Sequence, residues 1–361
     1  MTRPADLAVV GGGVLGVSLA LRARSLYPSW SITVVDQQPL GRGATGHSLA
    51  VVAPSGHTPY VRALATRSAE LYRSPPWRDA VRPRRALLVA PQGSEALLGE
   101  QLTTAVAPAT PAGLEHLGTA YESLFIAPTE SVYAVENGFL QVDPVILSAL
   151  LTPSRVEVVD DFTVVHCRRS GLHWDLTSDC ARVLRAERVA LCTGPWGDPE
   201  SIADGVPWGG PPGSTKRVAA LHVPRPGAAD DDPLLVFPQD NLLLSPGERR
   251  VAVSFLRTGT RSAPLPVRSA AEWSSFGADV PFGADDLVEG RAALAVRCPE
   301  MAGQAVSGQA FWDTYLPGSE PRVERAPGSL PPLVRISGAA GSGVRLAPAL
   351  ADEALARLFS R

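Results

Sequence analysis

Residues 6–36 read DLAVVGGGVLGVSLALRARSLYPSWSITVVD. Asp6 to Val10 is a short apolar run closed by three glycines, Val14 to Tyr27 carries a helical pattern, and Ser31 to Asp36 is a second apolar run. Strand, glycine turn, helix and strand in about 30 residues form a βαβ unit, the building block of a parallel sheet. Gly11, Gly13 and Gly16 satisfy G-x-G-x-x-G, with Val14 and Leu15 between the last two glycines. In this pattern the first glycine allows the tight turn, the second admits a pyrophosphate to the backbone, and the third lets helix pack on strand. The phosphate charge rests on the helix N-terminus. Asp36 ends the second strand, where a carboxylate accepts hydrogen bonds from a ribose diol and repels a 2′-phosphate. NAD and FAD share this fingerprint, and an unliganded βαβ turn has the same local sequence.

Working outward, Val61 to Tyr72 reads as a helix ending before Pro75-Pro76, and Arg85 to Ala90 as a strand. Thr103 to Pro128 is rich in Ala, Pro and Thr and reads as irregular. Asp143-Pro144 caps a helix from Val145 to Leu151, because proline at the first helical position gives up no needed N–H. Arg155 to Val159, Phe162 to Arg168 and Arg188 to Cys192 are strand candidates, and Trp208 to Ser214 is a Gly/Pro linker. Arg217 to Val223, Leu234 to Phe237, Leu242 to Leu244 and Arg249 to Phe255 are short strands between turn residues, a spacing that predicts an antiparallel sheet. Leu333 to Ser337 is a last strand, followed by Gly338 to Gly343 and a closing helix from Pro348 to Phe359.

At 361 residues the chain is long enough for two domains or one large α/β unit. The formal charge of −3, with no charge block, argues against an electrostatic nucleic-acid footprint. Cys167, Cys180, Cys192 and Cys298 form no CxxC pair, so neither a metal site nor a disulfide framework is expected. No apolar run reaches the length of a membrane span, and no secretory signal is evident. A cytoplasmic protein is expected.

Three further segments choose between the dinucleotides: Arg42 to Ala50 (RGATGHSLA), Thr193 to Gly197 (TGPWG) and Gly338 to Pro348 (GAAGSGVRLAP). With the first motif they make the sequence resemble the glycine-oxidase/D-amino-acid-oxidase-like family of FAD-dependent oxidoreductases (DAO family) over nearly the whole chain. The resemblance implies an α/β protein, α+β overall. A Rossmann-like FAD-binding domain of the GR2 type would be assembled from residues 1–80, 138–215 and 305–361. A second, antiparallel-sheet substrate domain would come from 81–137 and 216–304. It also implies that Thr45, Gly46 and His47 lie along the cofactor, that Val164 contacts adenine through its backbone, and that Thr193, Gly194 and Trp196 pack near the dinucleotide. Gly338, Gly341, Ser342, Gly343, Val344, Arg345 and Leu346 would point helix N-terminal N–H groups at the pyrimidine edge of the flavin, where reduction places negative charge.

The implied reaction is hydride transfer to flavin N5 from a C–H beside nitrogen, on a small amine or amino-acid-like substrate of specialised metabolism, with O2 or another electron acceptor. Oxidation of a 2-hydroxy acid or other alcohol, and a flavoprotein subunit of a larger oxidase that does not itself turn over, are the alternatives. Non-covalent FAD is expected, although some relatives attach it to a histidine in a loop like that of His47. His47, His57, Asp313 and Tyr315 are the substrate-side candidates, and no catalytic base is assigned. Two departures from the family stand out. Phe311 to Gly318 lacks the arginine that forks onto a substrate carboxylate, and Asp313 or Tyr315 takes its place. The only lysine, Lys216, is read as lying in the linker, poorly placed for the role of a lysine that assists reaction with oxygen. The sequence leaves the oligomeric state open.

Overall fold

The computed structural model describes residues 3–121, 123–196, 202–203, 205–209, 213–225, 232–256, 265–266 and 280–359. The opening motif forms the centre of a six-stranded sheet in the order Arg322–Arg325, Leu333–Ser337, Val189–Leu191, Leu7–Val10, Ile32–Val35 and Glu157–Val159. All neighbours are parallel except the edge strand Arg322–Arg325. Every residue of Leu7–Val10 and Ile32–Val35 is buried, as continuous apolar runs are when both sheet faces are covered. Leu7, Val9, Ile32 and Val34 pack with the helices Val14–Leu26 and Gly343–Phe359. Ala8, Val10 and Val35 point the other way, onto Trp174 and Leu176 of a three-stranded antiparallel sheet, Val164–Ser170, His173–Ser178 and Val183–Ala186.

The larger sheet is built around Ser214–Pro224. Ser307–Tyr315 pairs with one edge of that strand and Arg250–Ser254 with the other. Leu242–Pro246, Leu234–Phe237, Val81–Pro91, Glu130–Val142 and Val51–Val52 follow in order. Its back is closed by the helices Ala284–Ala295 and Pro299–Gln304, whose Leu294 and Met301 share a core with Leu221, Leu244 and Val253. Its front faces the cofactor motif.

Four expectations change. Thr103 to Pro128 is not irregular throughout: it holds a short strand, Val106–Pro108, and a helix, Pro111–Ala120, whose N-cap Thr110 accepts the Gly113 N–H. Ser307–Tyr315, expected with the 305–361 part of the first domain, is a strand of the antiparallel sheet. Lys216 is not in a linker, because the strand that carries it begins at Ser214. The last helix starts at Gly343 rather than Pro348. Pro348 cannot donate to the Val344 carbonyl one turn back. The buried Tyr72 hydroxyl donates to that carbonyl instead, at 2.6 Å, and the Ser68 hydroxyl accepts the Ala349 N–H at 3.2 Å. No helix among the described residues is long and apolar enough to cross a membrane.

Candidate functional site: a dinucleotide cleft opening into a chamber

Gly11 has φ +108, and a Cβ there would lie 2.4 Å from the Cys192 carbonyl oxygen. A Cβ on Gly16 would lie 1.9 Å from the Gly11 oxygen. Both positions therefore exclude a side chain in order to close the turn. Gly13 differs: its nearest obstacle is the Thr45 hydroxyl at 3.3 Å, and its open side borders the cleft. Thr45 is buried and accepts the Val14 N–H at 2.8 Å, which ties the Arg42 to Ala50 segment to the helix N-terminus. The Asp36 carboxylate accepts the Gly12 N–H at 2.5 Å and the Gln38 N–H at 2.9 Å. Burial pushes its pKa upward, and nearby Asp160 adds to this, while the backbone donors pull it back.

One cleft runs past these groups. Gly11, Gly13, Leu15 and Asp36 line it on one side, and Thr193, Gly194 and Trp196 on another. Gly338 and Gly343 close it from the last strand and helix. Beyond Asp36 it continues into a pocket walled by Val10, Phe162, Val164 and Ile202, the apolar surroundings an adenine ring takes. Gly197 of the TGPWG segment lies outside the described residues.

At its other end the cleft meets a chamber of about 370 Å3. Val14, Thr45, Asp313 and Gly343 border both. The chamber roof is the front of the large sheet, with Val218 and Ala220 beside Phe311, Asp313 and Tyr315. Asp313 accepts the Thr314 N–H at 2.8 Å and also the Gly341 N–H, and Ala340 donates to the Thr314 carbonyl at 3.0 Å. The Gly338 to Gly343 loop, with φ +72 at Gly338, +50 at Ala340 and +73 at Gly341, is thus held by the end of Ser307–Tyr315. Burial raises the Asp313 carboxyl to about 6 against the pull of its two donors. It also raises the Tyr315 phenol, with the Asp313 charge adding to the effect. Lys216 stands opposite Asp313 in the ladder, with its ammonium 4.5 Å from the Tyr315 ring centroid.

Several expected residues sit elsewhere. The His47 ring stacks near Phe311, centroids 6.3 Å apart, and its carbonyl accepts from Gln309 at 2.5 Å. His57 is exposed and bonds the Gly318 carbonyl at 3.0 Å. Gly46 is exposed, and Leu346 is a fully buried core residue. Arg345 donates to Ser55 at 3.0 Å and to Ser342 at 2.5 Å, and burial lowers its pKa to about 10. Val344 lines the chamber, and Ser342 holds Arg345. Asn241 and Ser254, which the sequence reading passed over, also line the chamber. Asn241 reads as part of the polar turn Gln239 to Asn241 and Ser254 as the end of a strand, patterns with no local signal of function. Among the described residues no group of three or more His, Cys, Asp or Glu could hold a metal.

The family model for FAD dependent oxidoreductases (DAO) matches residues 6–357. The chain belongs to this family. The cleft fits the cofactor, since a side chain at Gly13 would enter the space beside the helix N-terminus and the Asp36 carboxylate stands at the ribose position. No curated protein sequence matches the chain. Among solved structures, L-proline dehydrogenase from P. horikoshii superposes with a TM-score of 0.77 at 14% identity, covering 98% of this chain and 93% of that one. Glycine oxidase from Geobacillus kaustophilus gives 0.74 at 16% identity, covering 99% and 95%. L-alpha-glycerophosphate oxidase from Mycoplasma pneumoniae, with FAD bound, gives 0.75 at 16% identity, covering 100% and 96%. At these identities the likeness is one of fold. This DAO-family member is an FAD-dependent oxidoreductase.

Proposed function

We propose that this FAD-dependent oxidoreductase oxidises the C–N bond of an amine that carries no carboxylate beside the nitrogen. Bound in the cleft, FAD supplies the hydride acceptor. The observation behind the substrate class is the charge of the chamber: among the described residues lining it, Asp313 is the only charged side chain. A carboxylate at the reaction site attracts an ammonium group and repels an acid. Two cations stand near the chamber without lining it: Lys216, whose ammonium lies over the Tyr315 ring, and Arg345, which is held by Ser55 and Ser342. Arg257 lies outside the described residues.

Asp313 supports binding and proton transfer together. The substrate docks as its ammonium, and its N–H donates to a carboxylate oxygen of Asp313. Burial makes that oxygen a stronger base than an ordinary carboxylate, and it accepts the ammonium proton as the free amine forms whose α-hydride departs. Loss of the hydride gives an iminium ion, which water converts to a carbonyl compound and ammonia or a smaller amine. The Tyr315 hydroxyl, above the same loop, donates to or accepts from the nitrogen.

The test compares anaerobic bleaching of the yellow holoprotein by an amino acid and by the amine formed on its decarboxylation, for instance phenylalanine and phenethylamine. The amine is expected to react faster. A buried carboxylate without a partner should weaken binding by about 30-fold or more. Preference for the amino acid by about tenfold, a difference of roughly 1.4 kcal/mol, would overturn the reading.

A further inference from the structure

Of the polar side chains that line the chamber, Thr45 and Ser48 are bonded to backbone, and the others form two groups. At one end are Asp313 and the Tyr315 hydroxyl, beside Gly341 and Gly343. At the other are Asn241 and Ser254, and neither side chain has a hydrogen-bond partner among the described residues. Asn241 is exposed and Ser254 is half-buried, so this end opens outward.

Strand register fixes the separation. Asp313 pairs with Lys216, Ala220 with Ser254, and Ser254 with Leu243. Paired residues share a sheet face, and of these Asp313, Ala220, Ser254 and Leu243 line the chamber. Ser254 therefore stands two strands across and four residues along from Asp313. Asn241 is three strands across and two along. With strands ~4.8 Å apart and ~3.3 Å of rise per residue, both separations are roughly 16 Å before twist shortens them. The face between is apolar, formed by Phe311, Val218, Ala220 and Leu243. Asn241 precedes the strand Leu242–Pro246 by one residue and stands diagonal to Ser254, one strand across and two residues along, roughly 8 Å away, so the two can meet one ligand group from two sides.

We infer that the chamber is an extended site for an amine whose far end carries a hydroxyl or another uncharged hydrogen-bonding group. The nitrogen lies at Asp313 and Tyr315, an apolar chain lies along Phe311, Val218 and Leu243, and the far group bonds Asn241 and Ser254. This rests on the amine reading above and adds a length and a distal chemistry to it. A charged distal group is disfavoured, since the described residues at that end offer no counter-ion.

The test measures dissociation constants on the holoprotein from ligand-induced changes in the visible flavin spectrum, before any reduction, using butylamine, octylamine and aminooctanol. Aminooctanol is expected to bind about tenfold tighter than octylamine, the effect of two net hydrogen bonds. Octylamine in turn should bind tighter than butylamine, because it covers the apolar stretch. In the double variant Asn241→Ala, Ser254→Ala the ratio of aminooctanol to octylamine affinity should fall to about one by the same reckoning. Equal affinities for butylamine and aminooctanol would overturn the inference while leaving the amine reading standing, as would a ratio that survives in the double variant. Failure of all three amines to bind, alongside bleaching by a hydroxy acid, would overturn the amine reading and this inference with it.

Discussion

Gly13 and Gly16 sit three residues apart and answer to different constraints. Around Gly16 the obstacle is backbone, so Gly16→Ala should lose folded protein altogether. Around Gly13 the nearest group is a hydroxyl, and the free space belongs to the cleft. Gly13→Val should therefore fold, with an unchanged far-ultraviolet spectrum, yet purify colourless and fail to bind added FAD. A yellow Gly13→Val protein would remove the pyrophosphate from this turn. Asp313 carries a prediction of another kind. Its unfolded value is near 3.8 and its folded value about 6, so across that window the folded chain holds a proton that the unfolded chain lacks. Stability from this group is then highest below 3.8 and falls as pH rises towards 6. Other carboxylates, such as Glu130 held low by Arg297, act in the opposite direction. The readout is therefore the difference in Tm between cofactor-free wild type and Asp313→Asn. The variant should gain on the wild type as pH rises through the window, and a flat difference would mean that Asp313 titrates normally.

The junction of two helices explains how a proline lies inside Gly343–Phe359. Ser68 and Tyr72 stand one turn apart on Pro59–Tyr72 and repair the two backbone groups that Pro348 disturbs. The repair lies one turn from the loop that Asp313 holds, so the packing of one helix sets the cofactor loop on another. Tyr72→Phe leaves a buried carbonyl without a donor, and should lower unfolding stability by about 1–3 kcal/mol in a denaturant titration. A loss within experimental error would mean that water reaches the carbonyl. This helix also shows the limit of reading elements from sequence. Proline is a boundary signal, and the groups that override it are nearly three hundred residues away. Leu7–Val10 and Ile32–Val35 were legible because both faces are covered and the runs are continuously apolar. Ser307–Tyr315 was not, because one face carries Gln309, Asp313 and Tyr315 for the site while Trp312 and Thr314 alternate with them. The cleft could be read from glycines and one carboxylate in known spacing. The chamber could not, since Asn241, Ser254, Val218 and Asp313 meet only through the register of four strands.

At the scale of the molecule, the two sheets meet where the cofactor lies. Gly11 and Asp36 of one sheet line the same cleft as Asp313 and Thr314 of the other. Among the described residues, hydrogen bonds of Asp313 with Gly341, Thr314 with Ala340, and Gln309 with the His47 carbonyl cross this seam. A dinucleotide bound along the cleft touches residues of both sheets, so occupancy should stabilise the whole chain rather than one half of it. The expected behaviour is mass action: above Kd, each tenfold increase in free FAD adds about 1.4 kcal/mol of stability. A single thermal transition should move upward as FAD is titrated into cofactor-free protein, and Gly13→Val should abolish that movement. This experiment requires that the cofactor come off, which we expect because the His47 ring is stacked near Phe311 and its carbonyl is held by Gln309. Acid precipitation should release intact FAD, and the peptide containing His47 should carry no flavin mass. Fluorescence that stays with the protein band on a denaturing gel would reverse this, and His47→Ala would then show whether that ring is the point of attachment. If only one of two thermal transitions moved with FAD, the sheets would be independent units, and the Asp313 hold on the Gly338 to Gly343 loop would be too weak to couple them.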